Sequence, residues 1–157
     1  MRIRLMIFFL LFLGCQSAAA EQWTYWVPGN GAYDMAFQGD YVWCATSHSV
    51  VRWDRRDGTY TQFFERDYRT GDNHPENIVA DTRGNIWVRH QGAQVSRFDG
   101  SSWTLHDFTN NPLPRNRLIS ALADRKGNVW FGTQKAGVVY FDGSEWKSHA
   151  PDDTLRR

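Results

Sequence analysis

From Leu118 to His149 the chain alternates apolar and polar positions in four short runs, each closed by a turn signal. A period of two is the mark of strands. The runs lie near Leu118–Ala123, Asn128–Thr133, Gly137–Phe141 and Glu145–His149, and are called a, b, c and d from first to last. Asp124-Arg125-Lys126-Gly127-Asn128 reads as a type I turn followed by a glycine at positive φ, and Asp142-Gly143 as a tight hairpin. A third reversal falls around Gln134-Lys135-Ala136-Gly137. In run b, Val129 and Phe131 point one way and Trp130 the other. A strand apolar on both faces has to be covered on both.

The preceding segment repeats this pattern without a gap. Ala80, Gly84, Trp87, Phe98, Trp103 and His106 lie 43 residues before Ala123, Gly127, Trp130, Phe141, Trp146 and His149. A period of about 40–45 residues suits a four-stranded propeller blade. A degenerate first copy precedes both: Tyr33–Phe37 as a, Gly39-Asp40 as turn, Tyr41–Thr46 as b, Val50–Asp54 as c and Tyr60–Phe64 as d. Trp43 lies 44 residues before Trp87 and Trp53 lies 45 before Phe98, so the b–c region of this copy is one residue shorter. Gln22-Trp23-Thr24-Tyr25-Trp26 resembles Ser102-Trp103-Thr104-Leu105-His106, an outer d strand with no blade of its own.

The reading is therefore all-β: a partial β-propeller of three four-stranded antiparallel blades plus an extra N-terminal outer strand. The blades span about 31–64, 76–108 and 117–149 within a domain of residues 21–150, and 151–157 form a polar tail. Closed propellers commonly use four to eight blades. The third blade already has its own d run, so Trp23–Trp26 has no open blade to complete within the chain. Two readings follow, a truncated piece of a longer propeller or copies that complete one another.

The start of the chain reads as an export signal. Arg2 and Arg4 precede the apolar run Leu5–Leu13, too short to span a membrane, and residues 1–20 fit a signal peptide. Two processing routes fit: cleavage after Ala18-Ala19-Ala20, or lipidation of Cys15 in the lipobox-like Leu11-Phe12-Leu13-Gly14-Cys15. Both place the protein outside the cytoplasm, in the periplasm or lipid-anchored to the cell envelope of a bacterium. Cleavage at Ala20 leaves Cys44 as the one cysteine, so no intramolecular disulfide can form and packing alone holds the fold. A net charge of +1 gives no electrostatic reason to expect nucleic acid as partner. The aromatic content of 15 %, with eight tryptophans, falls on the repeat and reads as core.

The pattern D-x-x-G-N-x-W-x-G-T…G-V-x-x-F-D-G-x-x-W, present at Asp124–Trp146, resembles the two-component regulator propeller repeat. That repeat occurs in the periplasmic sensor regions of bacterial hybrid histidine kinases. The second copy departs from it at Arg89-His90, and the first lacks the D-x-x-G-N turn. The resemblance implies the fold for about residues 31–149 and, for function, an exported sensor-type module. Propellers host sensing, binding and catalysis alike.

Function is sought where the copies disagree. In a propeller the b–c loops and d–a linkers share one face, and here both vary. Arg89 and His90 replace the small Gly132-Thr133, projecting a cation and an imidazole that suit an anionic or sugar-like ligand. His48 and Lys135 sit in the neighbouring loops, and Arg66, Tyr68 and Arg69 offer a polar and aromatic lip in the linker Glu65–Pro75. The plainer reading of all seven is a solvated loop. Asp81, Asp124, Asp99 and Asp142 open turns and read as caps, and His106 and His149 repeat in register as structural residues. No H-E-x-x-H, C-x-x-C, G-x-S-x-G or phosphate-cradling loop occurs, so no metal, cofactor or catalytic residue is expected.

The expected function is a non-enzymatic exported module binding a small ligand, glycan or protein at the loop face. The alternatives are a propeller-scaffold enzyme, such as a lyase resembling the streptogramin-cleaving propellers, and a structural module docking on a partner propeller or on another copy.

Overall fold

In the computed structural model, residues 31–69, 74–111, 113, 115 and 117–149 are described. The alternating runs become twelve strands: β1 (Ala32–Gln38), β2 (Tyr41–Thr46), β3 (Ser49–Asp54), β4 (Tyr60–Phe64), β5 (Pro75–Ala80), β6 (Ile86–His90), β7 (Val95–Phe98), β8 (Trp103–His106), β9 (Leu118–Ala123), β10 (Val129–Thr133), β11 (Val138–Phe141) and β12 (Trp146–His149). They form three four-stranded sheets ordered β1-β2-β3-β4, β5-β6-β7-β8 and β9-β10-β11-β12. Every pairing is antiparallel. The extra strand expected at Trp23–Trp26, the signal peptide with Cys15, and the tail lie outside the described residues.

The copies agree in register as well as order. Val42 faces Trp53, Ile86 faces Phe98 and Val129 faces Phe141 across the middle strand pair of each blade. Glycine fixes the reversals: Gly84 and Gly127 adopt φ of 84° and 85° in the a–b turns, a region open to glycine at no steric cost.

A lone four-stranded sheet cannot hide both faces, so the core forms between blades. The first seam buries Ala36, Trp43, Ala45 and Val50 against Ile78, Ile86, Val88 and Phe98. The second buries Trp87 and Val95 against Leu118, Val129, Phe131, Val139 and Phe141. In each seam one strand-b tryptophan crosses into an aromatic cluster of the next blade. Trp43 lies 5.5 Å from Phe98 and Trp87 lies 5.2 Å from Phe141, ring centre to ring centre. Polar latches close the same seams: Gln38 donates to the Gly84 carbonyl, and Arg83 donates to the carbonyls of Gly127 and Asp142.

One segment departs from the sequence reading. The linker after β4 begins as a short helix, α1 (Glu65–Tyr68), where a plain loop is expected. The Asp67 carboxylate accepts the Phe64 N–H at 2.6 Å, and Arg69 ends the turn in the left-handed region at φ 60°. One turn is too short to show helical periodicity, which explains why no pattern announces it. The turn drives Tyr68 into the first seam, and Leu113 enters the second from the next linker.

Candidate functional site

The b–c loops and the linkers do share one end of the molecule. Gln91 donates its N–H to the His74 carbonyl at 2.8 Å, Leu118 to Gly92 at 2.8 Å and Gln134 to Arg117 at 2.9 Å. The first and third bonds tie a loop to the linker that leads into its own blade, and the second ties the loop of the second blade to the start of the third. The seven side chains named from sequence then separate into two groups.

Arg89, His90 and Tyr68 do not reach solvent. Arg89 is 5 % exposed. Its Nε donates to Asn77 Oδ1 at 2.7 Å and its Nη1 to the Leu118 carbonyl at 2.8 Å, with Glu76 paired at 2.5 Å. It therefore spans from the second blade to the innermost strand of the third. His90 is fully buried, its Nε2 lies 2.9 Å from Ser96 Oγ, and its ring stacks on Tyr68 at 4.9 Å. Tyr68 is 1 % exposed, and burial raises its phenol well above the ordinary range. The expectation that these three project from a solvated loop is corrected. β6 continues through His90, so Arg89 and His90 belong to a strand, and α1 turns Tyr68 inward over them.

His48, Arg66, Arg69 and Lys135 are exposed at this end. The His48 ring meets the His74 ring edge-on at 5.5 Å, and Arg66 lies 4.9 Å over the Phe64 ring. Arg69 and Lys135 form no ion pair among the described residues. Three residues not singled out from the sequence join them: His74, Arg115, which covers Phe108 at 4.9 Å, and Arg117, paired with Glu76 at 2.9 Å. Their signal was only that the linkers are rich in cations, because linkers lie outside the repeat's periodicity.

At the opposite end the turn aspartates are engaged within the fold. Asp81 accepts the N–H groups of Arg83 and Asn85, both at 2.9 Å, and also the Trp87 indole N–H at 2.9 Å. Asp124 does the same for Lys126, Asn128 and Trp130. The turn aspartates thus aim the strand-b tryptophans, a role visible in sequence as Asp and Trp six residues apart in the last two copies. In the first copy Gln38 Oε1 accepts the Trp43 indole N–H at 2.9 Å instead. The Trp130 bond, with those of Asn128 and Lys126, holds the Asp124 carboxyl at about 2, and Arg56 holds Asp54 at about 2. Asp99 is held below the carboxylate range by Ser102 and Ser101, and Asp142 by Lys147 and the backbone of residues 144–145.

A depressed folded pKa stabilises the fold above the unfolded value near 4 and loses that contribution as pH falls through the folded value. Urea midpoints are therefore expected to hold steady down to about pH 4 and to fall between about pH 4 and pH 2. An Asp124→Asn chain starts lower and loses less across that window. Equal slopes in the two chains would refute the assignment. Among the described residues no group of three or more His, Cys, Asp or Glu is placed to hold a metal ion, and no helix is long and apolar enough to cross a membrane. Cys44 is a free thiol, half-buried on β2, and burial raises its pKa.

Residues 112–135 match the family described as "Two component regulator propeller". Solved structures give the same architecture. The extracellular domain of a one-component system from B. thetaiotaomicron aligns at 22 % identity and TM-score 0.66, over 83 % of this chain and 18 % of that one. The extracellular domain of a hybrid two-component system from the same organism aligns at 22 % identity and TM-score 0.61, over 74 % and 16 %. A structure described as streptogramin B lyase aligns at 19 % identity and TM-score 0.63, over 80 % and 43 %. The chain spans less than half the length of each of these. No curated protein matches it. The chain is thus a partial propeller of three blades in which residues 112–135 match the two-component regulator propeller model, and its fold is similar to the extracellular domains of bacterial one- and two-component systems.

Proposed function

We propose that this is an exported, non-enzymatic recognition module whose loop face binds an anionic small ligand, glycan or protein surface. The observation that carries the reading is the set of exposed imidazoles and cations that loops and linkers of different blades bring to one end. Exposed imidazoles and cations at the loop face come from the first blade (His48), the first linker (Arg66, Arg69) and the third blade (Lys135). At the other end the aspartates that open the turns are already saturated by their own backbones. Export rests on the basic and apolar segment Arg2–Leu13 and on the kind of domain the fold resembles.

The surroundings of the histidines in the described residues support a non-enzymatic role. His90, a candidate for acid–base chemistry in a lyase, is packed between Tyr68 and Ser96. His48 and His74 remain exposed, but neither faces a carboxylate in a hydrogen bond or ion pair among the described residues.

The test is a tryptophan-fluorescence titration with sulfated, carboxylated and neutral oligosaccharides and with a short acidic peptide. An anionic probe is expected to bind, more weakly at high salt. Arg69→Glu combined with Lys135→Glu is expected to weaken it about tenfold or more, as loss of charge-assisted contacts does. Arg55→Glu, at the opposite end, leaves it unchanged. Equal binding by all three chains would end the loop-face reading.

A further inference from the structure

Trp43, Trp87 and Trp130 occupy one position in three successive blades, yet among the described residues Trp43 and Trp87 reach another blade and Trp130 does not. Trp43 and Trp87 are fully buried in the seams. Trp130 is half-buried and, among the described residues, stacks within its own blade, on Tyr140 at 4.1 Å and His149 at 6.4 Å. Its indole is nevertheless aimed by Asp124 just as Trp87 is aimed by Asp81. Around it Leu122 is 64 % exposed, where its counterpart Val79 packs against the second seam.

The other end of the blade stack presents the matching surface. Trp43 docks on the pair Phe98–Trp103 and Trp87 on Phe141–Trp146, at 5.5 and 6.4 Å and at 5.2 and 6.0 Å respectively. Each pair sits directly opposite across the third and fourth strands of its blade. In the first blade the same register holds Trp53 opposite Tyr60, rings 6.0 Å apart, with no preceding blade among the described residues. A cavity of about 410 Å³ opens there, lined among the described residues by Trp53, Gly58, Thr59 and Tyr60. Beside it Met35 and Phe37 are 61 % and 68 % exposed, whereas their counterparts Ile78 and Ala80 pack in the first seam. The chain therefore offers an indole plug on its last blade and an aromatic socket on its first.

We propose that Trp130 of one copy enters the Trp53–Tyr60 socket of a second copy, and that the reciprocal insertion closes a six-bladed ring of two chains. The contact repeats the two seams already inside each chain, and a front-to-back interface makes a ring when its rotation closes. Six blades lie within the four to eight that close. The inference depends on the blades alone and stands whether or not the loop face binds a ligand.

Sedimentation velocity on the full chain tests it, alongside Trp130→Lys, which lacks the plug, and Trp53→Glu, which lacks the socket. The native chain is expected at twice the single-chain mass. Each variant, with the circular dichroism of the native fold, is expected as a single chain, its self-association at least about a hundredfold weaker, as for loss of a central aromatic anchor. The equimolar mixture retains one plug and one socket and is expected to restore a two-chain species. A single-chain mass for the native protein at every concentration, as when another blade or another segment of the chain fills the socket, would overturn the proposal. So would a series of growing species, or a doubled mass that Trp130→Lys leaves intact.

Discussion

Trp87→Ala is expected to lower stability by about 3–5 kcal/mol, the range for truncating a buried aromatic, while Trp130→Ala costs about 2 kcal/mol, the scale of two partly exposed ring stacks and one hydrogen bond. Sequence gives no ground for the difference, since both follow an aspartate by six residues in the same turn. The difference lies in what each ring touches. Trp87 meets Phe131, Phe141, Trp146 and His106 within 6.3 Å and is shut from water. Its removal opens a cavity in the second seam and leaves Asp81 without its indole donor. Trp130 likewise gives up its bond to Asp124, but it is half-buried and meets two rings of its own sheet. Urea denaturation at low protein concentration, where association adds nothing, is the measurement. Equal losses at the two sites would mean that the seams are not what holds the blades together.

Arg89→Ala is expected to cost about 3 kcal/mol, near the lower end for breaking a buried ion pair. The lower end applies because Glu76 keeps Arg117 as a second partner. The loss comes from Asn77 Oδ1 and the Leu118 carbonyl, both of which lose their guanidinium donor inside the fold. Arg89→Lys should recover little of it, since one ammonium on a flexible stem cannot replace a planar fork that serves three acceptors. Thermal and urea unfolding of both variants check this. A ligand contact on a solvated loop would instead shift stability by less than about 0.5 kcal/mol in either chain.

These two residues show where the sequence is legible and where it stops. The 43-residue period, the alternating runs and the turn signals Asp-Gly and D-x-x-G-N place the strands to within one or two residues. They do so because strand alternation and turn conformation are set by neighbours along the chain. The site was less legible. His48, Lys135, Arg66 and Arg69 lie at the surface of the predicted end, but Arg89, His90 and Tyr68 are buried there. A departure from the repeat at Arg89-His90 marks a difference between blades. Whether that difference faces water or the next blade depends on Asn77, Glu76 and Leu118, which are 12, 13 and 29 residues away.

By itself, then, the sequence determined the all-β architecture, the three blades, their strands and the need of each blade for cover on both faces. Only the tertiary structure decided which side chains provide that cover. It placed Trp43 and Trp87 in seams and Trp130, among the described residues, outside both, and it turned Arg89 from a candidate ligand contact into a strut. The physical reason is that backbone pairing within a blade is local, whereas burial is settled between blades, by surfaces brought together from distant parts of the chain.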